Sequence, residues 1–282
     1  MDFYKKLFLE GDDPNKLNDT LMIHFYYCEN DYFLATEIAL LQTEKPNITI
    51  YSYWDFFKLL VYFYFPNDAF LDWKPRVLAW AEKVWASNAK DYHKCFYLWI
   101  KALTLKHFGA LEAAEKCFFD TLEWADARLQ SSYERCLLNS MHDCIAELAI
   151  YKKDIATAKK HLAIASQHDD YFTTDCLLML LEGKTTEAVE FLEAQVARRP
   201  ITEEYWETLA NIALQQNKPD KAIYYYTQSV QHSPQYRKHF LRLIQLLENS
   251  QFPNKQALIE KYSAQVATLN AQFERLATLA KF

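Results

Sequence analysis

Four side chains able to do chemistry crowd into nine positions: Cys136, His142, Asp143 and Cys144. Thiolate, imidazole and carboxylate are zinc's ligand types, and zinc holds them in a tetrahedron. Residues 131–150 read as one helix. Cys136 and Cys144 then fall roughly on one stripe, while His142 and Asp143 are rotated off it. Four donors do not converge from such a helix, so the expectation is packing cysteines, with no metal and no cofactor. His93 and Cys95 are two residues apart and do not face each other. The sequence contains no H-E-x-x-H, G-x-G-x-x-G, G-x-x-x-x-G-K-[ST] or G-x-S-x-G. A binding protein is expected, not an enzyme.

Composition narrows the elements that position these residues. Among 282 residues there are only three glycines, Gly11, Gly109 and Gly183, against eight prolines. Phosphate loops and strand-to-helix turns need more glycine than that, whereas helices joined by short turns do not. Half the residues are apolar and 16% are aromatic, ample for a core. The net charge of −6 disfavours a nucleic-acid partner. The apolar stretch from Ile48 to Phe65 holds Asp55 and Lys58 and stops at Pro66, which fits a buried aromatic helix and not a membrane span. Residues 1–13 mix charges of both signs without a signal-peptide core. The six cysteines, Cys28, Cys95, Cys117, Cys136, Cys144 and Cys176, are scattered with no close pair. Reduced thiols and a cytoplasmic location are expected.

The clearest pattern lies in 203–236. Trp206 is followed by Leu209, Ala210 and Ala213, then Ala222, Tyr226, Ser229 and Pro234. Small residues let two antiparallel helices approach; large ones fill the space between hairpins. This segment resembles the tetratricopeptide repeat, a 34-residue helix hairpin with these residue types at these spacings. Sliding the spacing backwards places Ala188 after Gly183, Ala158 after Lys153-Asp154, Ala114 after Gly109 and Ala35 after Asn30-Asp31. The intervals between the last four of these alanines are 44, 30 and 34 residues, so the earlier units are irregular. The resemblance implies an all-α fold: a right-handed superhelix of about seven antiparallel helix hairpins, continuous over 1–282.

The expected pairs are 17–29 with 31–44, 49–65 with 74–87, 91–108 with 110–129, 131–150 with 153–168, 170–182 with 184–198, 202–216 with 218–232, and 235–249 with 253–280. In the last helix Ile259, Tyr262, Val266, Leu269, Phe273, Leu276 and Ala280 repeat at heptad spacing. A cap over the last repeat is the favoured reading, because solenoids need one; a dimerising coiled coil is the alternative. A monomer is therefore favoured.

The resemblance implies a binding groove lined by the first helix of each pair. The groove residues are then Trp99 and Leu103, Asp143 and Glu147, Glu207 and Asn211, and Lys238 and Arg242. Their apolar wall, acidic middle and basic end suit a partner peptide or helix with a basic or neutral centre and one acidic end. Lys238 and Arg242 match the final element of the tetratricopeptide clamp for acidic chaperone tails. Thr173, Leu177 and Thr208 stand where that clamp needs Lys or Asn, so tail binding is not expected. The stretch from Tyr236 to Leu276 is loosely similar to the epsilon subunit of coatomer, another helical-repeat protein. A coat-like assembly subunit, or a bacterial effector or secretion chaperone, are the alternatives to a scaffold or adaptor.

Overall fold

The computed structural model describes residues 32–43, 54–129, 132–166 and 172–280. The expected helix 17–29 lies outside them. The described residues are helical and contain no strand. In order the helices are α1 (Tyr32–Thr43), α2 (Trp54–Leu59), α3 (Lys74–Trp85), α4 (Asp91–His107), α5 (Leu111–Asp126), α6 (Ser132–Tyr151) and α7 (Ile155–Ala165). They continue as α8 (Phe172–Leu181), α9 (Thr185–Arg198), α10 (Glu203–Gln215), α11 (Pro219–His232), α12 (Arg237–Glu248) and α13 (Lys255–Leu279). They divide into two compact units, the first formed by 1–71 with 226–282 and the second by 72–225.

One turn geometry recurs four times in the second unit. Gly109, Lys153, Gly183 and Asn217 each take a left-handed φ, between 56° and 79°. The next residue then donates its N–H five residues back: Ala110 to Leu105, Asp154 to Ala149, Lys184 to Met179 and Lys218 to Ala213, each at 2.9 Å. This is the Schellman arrangement, which satisfies the last carbonyls of the first helix while reversing the chain. Five residues after each left-handed residue stands Ala114, Ala158, Ala188 or Ala222, and all four are wholly buried. Turn and packing alanine therefore repeat as one unit. Around one hairpin, Ala146, Ala149 and Ile150 of α6 pack with Ala158 and Leu162 of α7 and Leu178 of α8. Side chains this small let the backbones approach closely. Trp206 donates its indole N–H to the Pro200 carbonyl at 2.7 Å, tying α10 to the preceding turn. α3, expected as the partner of 49–65, packs on α4.

The first unit is built from aromatics. Within the expected helix 49–65, the described part is a regular helix over α2, widens to a π-turn at Leu60–Tyr64 and tightens to a 3-10 turn at Phe65–Asn67. Pro66 has no N–H to continue the ladder, so the hydrogen bonds re-register there. The segment is buried at Phe56, Phe57, Leu60, Phe63, Tyr64 and Phe65. Phe63 stacks on Tyr32 at 4.4 Å and meets Tyr236 edge-on at 5.4 Å. On α13, the heptad positions Tyr262, Leu269, Phe273 and Leu276 are buried within the unit. Phe273 lies 5.3 Å from Phe33 and 6.0 Å from Phe63, and Tyr262 lies 5.8 Å from Phe240. The seam thus faces the unit's own core. No described helix is long and apolar enough to cross a membrane.

Candidate binding face of the second unit

On α6, Asn139, Asp143 and Glu147 follow at steps of four, each about 40° further around the helix than the last. Ala146 and Ile150, packed in the hairpin above, flank Asn139 around α6, while Asp143 and Glu147 turn progressively away from them towards Thr174 of α8 and Lys106 of α4. Lys106, from the last turn of α4, forms an ion pair with Glu147. Tyr151 donates its hydroxyl to the other Glu147 oxygen at 3.0 Å. From α8, Thr173 reaches Glu204 of α10 at 3.5 Å. Burial works against the Lys106 ammonium, but Cys144, Glu147 and Tyr151 around it hold its pKa above the usual lysine value.

The carboxyls here are unlike surface ones. Burial raises Asp143 to about 7, and Glu147 and Glu204 push in the same direction; a hydrogen bond from Thr174 and the charge of Lys106 oppose them. Glu204 is exposed. The protein atoms crowding it hold its carboxyl up, with Glu147 and Glu207 adding to the effect and Lys106 opposing it. Tyr151 is 58% exposed, and crowding of its hydroxyl together with Glu147 lifts it to about 12. One Asp143 oxygen, Oδ1, is buried with no hydrogen-bond partner among the described residues, and so is Nδ2 of Asn139, one turn earlier. Asn139 is only 5% exposed. Buried polar groups without partners are uncommon in folded proteins, because each keeps its desolvation cost.

The cluster that opens the sequence reading comes apart by role. Cys136 is exposed and Cys144 is buried. Burial lifts the Cys144 thiol to about 12, so it stays protonated near neutral pH. His142 turns to His161 of α7, with the two Nδ1 atoms 2.8 Å apart. One ring must donate and the other accept, so the contact holds only while at least one is neutral. Burial and the His161 charge lower His142 to about 4; burial and Lys160 lower His161. Phe119 of α5 packs edge-on to His161 at 5.6 Å. Among the described residues, no group of three His, Cys, Asp or Glu side chains is arranged to hold a metal ion.

Of the residues expected in the groove, Asp143, Glu147 and Glu207 come together in one electrostatic neighbourhood with Lys106 and Glu204. Asn211 is exposed on α10 and Leu103 half-buried on α4. Trp99 is only 6% exposed and packs 5.7 Å from Phe96, so it supports the face from beneath. Lys238 and Arg242 belong to the first unit, on α12, where Arg242 is exposed and donates to Gln245 at 3.0 Å. Lys106, Glu204 and Asn139 were missed. Each lies three or four residues from an expected residue (Leu103, Glu207 and Asp143), so extending each stripe by one turn would have found them.

No protein-family model and no curated protein matches the chain.

Proposed function

We propose that this protein is an interaction scaffold or adaptor of the tetratricopeptide-like kind, and that the first helices of its hairpins hold a peptide or helix of a partner protein. In such a superhelix those helices line the inner side. One observation carries the reading: α4, α6, α8 and α10 each contribute polar side chains to one surface, while the alanines of the second helices are buried in hairpin packing. The four repeated turns support a repeat architecture running through 91–225. The buried seam of α13 supports a cap and a monomer. The chemistry is recognition without catalysis, cofactor or metal, in a cytoplasmic setting.

The test is purification of partners from native lysate with wild-type protein and with two charge-reversed variants. Glu204→Lys with Glu207→Lys alters the proposed face, and Lys116→Glu alters an exposed position on a second helix. The reading expects a partner lost in the first variant and kept in the second. Equal recovery with both would move the binding surface elsewhere.

A further inference from the structure

We propose that His142 and His161 form an acid-operated latch on the α6–α7 hairpin, shut while at least one imidazole is neutral and opening the free end of the hairpin when both carry a proton. The latch is independent of what the first helices bind.

Geometry is the first ground. The two Nδ1 atoms lie 2.8 Å apart, with the ring centroids at 5.0 Å and the planes 35° from parallel. At that distance one nitrogen must offer its lone pair to the N–H of the other. A first proton leaves this possible, since the imidazolium donates and the neutral ring accepts. A second proton leaves two donors and two positive charges face to face. His161 is buried and Phe119 of α5 packs edge-on to it, so parting the rings disturbs the packing of α5 on α7.

Little in the surroundings can neutralise a doubly charged pair. Among the described residues no carboxylate bonds either ring. Asp126, at the end of α5, favours a proton on His142, but Arg135 of α6 shares that carboxylate at 3.6 Å. Lys160 of α7 opposes a proton on both rings. On the α8 side Lys159 pairs with Glu182, and on the α4 side Lys106 pairs with Glu147.

The second ground is the position of the pair. His142 precedes Ala146 by four residues on α6, and His161 follows Ala158 by three on α7. Counted from the turn at Lys153, the rings therefore lie towards the end of the hairpin that no turn closes. Asn139, three residues before His142 and flanked by the same packing residues, is buried with Nδ2 unpartnered among the described residues. That end already carries an unrecovered desolvation cost, so it is the part of the hairpin that opens most readily.

The direction of the response follows. Burial holds both rings below the ordinary histidine value, and the His161 charge helps bring His142 to about 4. The latch is therefore fully shut above the unfolded value of 6.5 and opens as pH falls towards about 4.

The experiment is amide hydrogen exchange of the full-length chain, read by mass spectrometry at about pH 7 and about pH 4.5 and corrected for the intrinsic rate. In the wild type, 132–142 and 161–165 should lose protection relative to 146–158 by roughly tenfold or more at the lower pH. His161→Asn keeps an amide oxygen that accepts from a charged His142, so this loss should disappear, with circular dichroism showing the variant folded at both values. Ring titration of the wild type by NMR gives a reading that needs no variant: the pair should show two separated steps, the lower near 4. No loss of protection, or a loss spread evenly over the hairpin, overturns the latch. The same loss in His161→Asn assigns the acid response to other groups and overturns it too. Two rings that titrate together near 6.5 overturn it whether or not the variant folds.

Discussion

In the first unit, several charged and polar groups that go below the surface find partners inside the unit, although Nε of Arg237 does not. Arg275 pairs with the buried Glu37, and Arg237 reaches the Asn67 carbonyl and Asn270, and lies 5.1 Å over the Phe273 ring. Thr36 bonds Tyr64 at 2.5 Å, and Ser229 bonds His239 at 2.6 Å. In the second unit, Asn139 and Asp143 hold buried polar atoms without partners, carboxyls stand crowded together, and two imidazoles share one contact. Internal pairing of that kind stabilises a fold and leaves little for a ligand. Buried polar groups left unmatched lower stability, and they are where a binding partner gains most. The contrast assigns structure to the first unit and recognition to the second.

The largest effects should come from the large side chains at the centre of each unit. Phe63→Ala is expected to cost about 3–5 kcal/mol, since Phe63 is wholly buried among Tyr32, Tyr64, Tyr236 and Phe273. Trp206→Ala should cost a similar amount, about 3–5 kcal/mol, through its burial and its bond to Pro200. Urea midpoints decide; a near-neutral Trp206→Ala would undo the repeat register. Next comes overfilling of the hairpin contact: Ala158→Leu should cost roughly 1–3 kcal/mol by the same measurement.

The pH effects are smaller and opposite in sign. Asp143 has a raised folded pKa, so its contribution to stability is fully present below the unfolded value and is lost as pH rises towards and through about 7. Asp143→Asn should therefore stabilise the protein by roughly 1–2 kcal/mol above neutrality and by little near pH 4. The lowered pKa values of His142 and His161 act the other way: stability is present above the unfolded value of 6.5 and is lost as pH falls towards about 4. His161→Phe should flatten the acid limb of the melting-temperature profile. An unchanged limb would mean that the imidazole contact contributes nothing.

The smallest effects test the turns. Gly183→Ala should cost about 1 kcal/mol, from its φ of +79° alone, since an added Cβ meets nothing within 4 Å. Lys153→Gly, at the matching turn, should stabilise by up to about 1 kcal/mol, because Lys153 takes a φ of +61°. Thermal denaturation of both variants shows whether the turns are equivalent.

How far the sequence was legible follows from these same features. The helices of the second unit were readable because each Schellman turn and its alanine are local, encoded within about ten residues. The register that the resemblance implies singled out Asp143, Glu147 and Glu207, and the structure brings them into one neighbourhood. Their partners were harder. Lys106 pairs with Glu147 across 41 residues, and no local spacing announces that a lysine at the end of α4 will lie beside α6. The pairing of His142 with His161 depends on the hairpin register in the same way. Trp99 read as a groove wall because periodicity gives the side of a helix and not the depth of burial. The π-turn before Pro66 was invisible, since an apolar run in either geometry has the same composition.

The most direct test of the contrast is the affinity of a copurified partner for four proteins: wild type, Glu204→Lys with Glu207→Lys, Lys238→Glu with Arg242→Glu, and Arg275→Glu. The account predicts that reversing the second unit's carboxyls removes binding, at least a hundredfold by order of magnitude for a matched charge surface. It predicts that the α12 reversal, in the first unit, changes binding by no more than about threefold. Arg275→Glu should lower the melting temperature and leave affinity unchanged, because its partner Glu37 lies inside the first unit. Affinity that survives the carboxyl reversal but falls with Arg275→Glu would place recognition on the first unit and contradict the account.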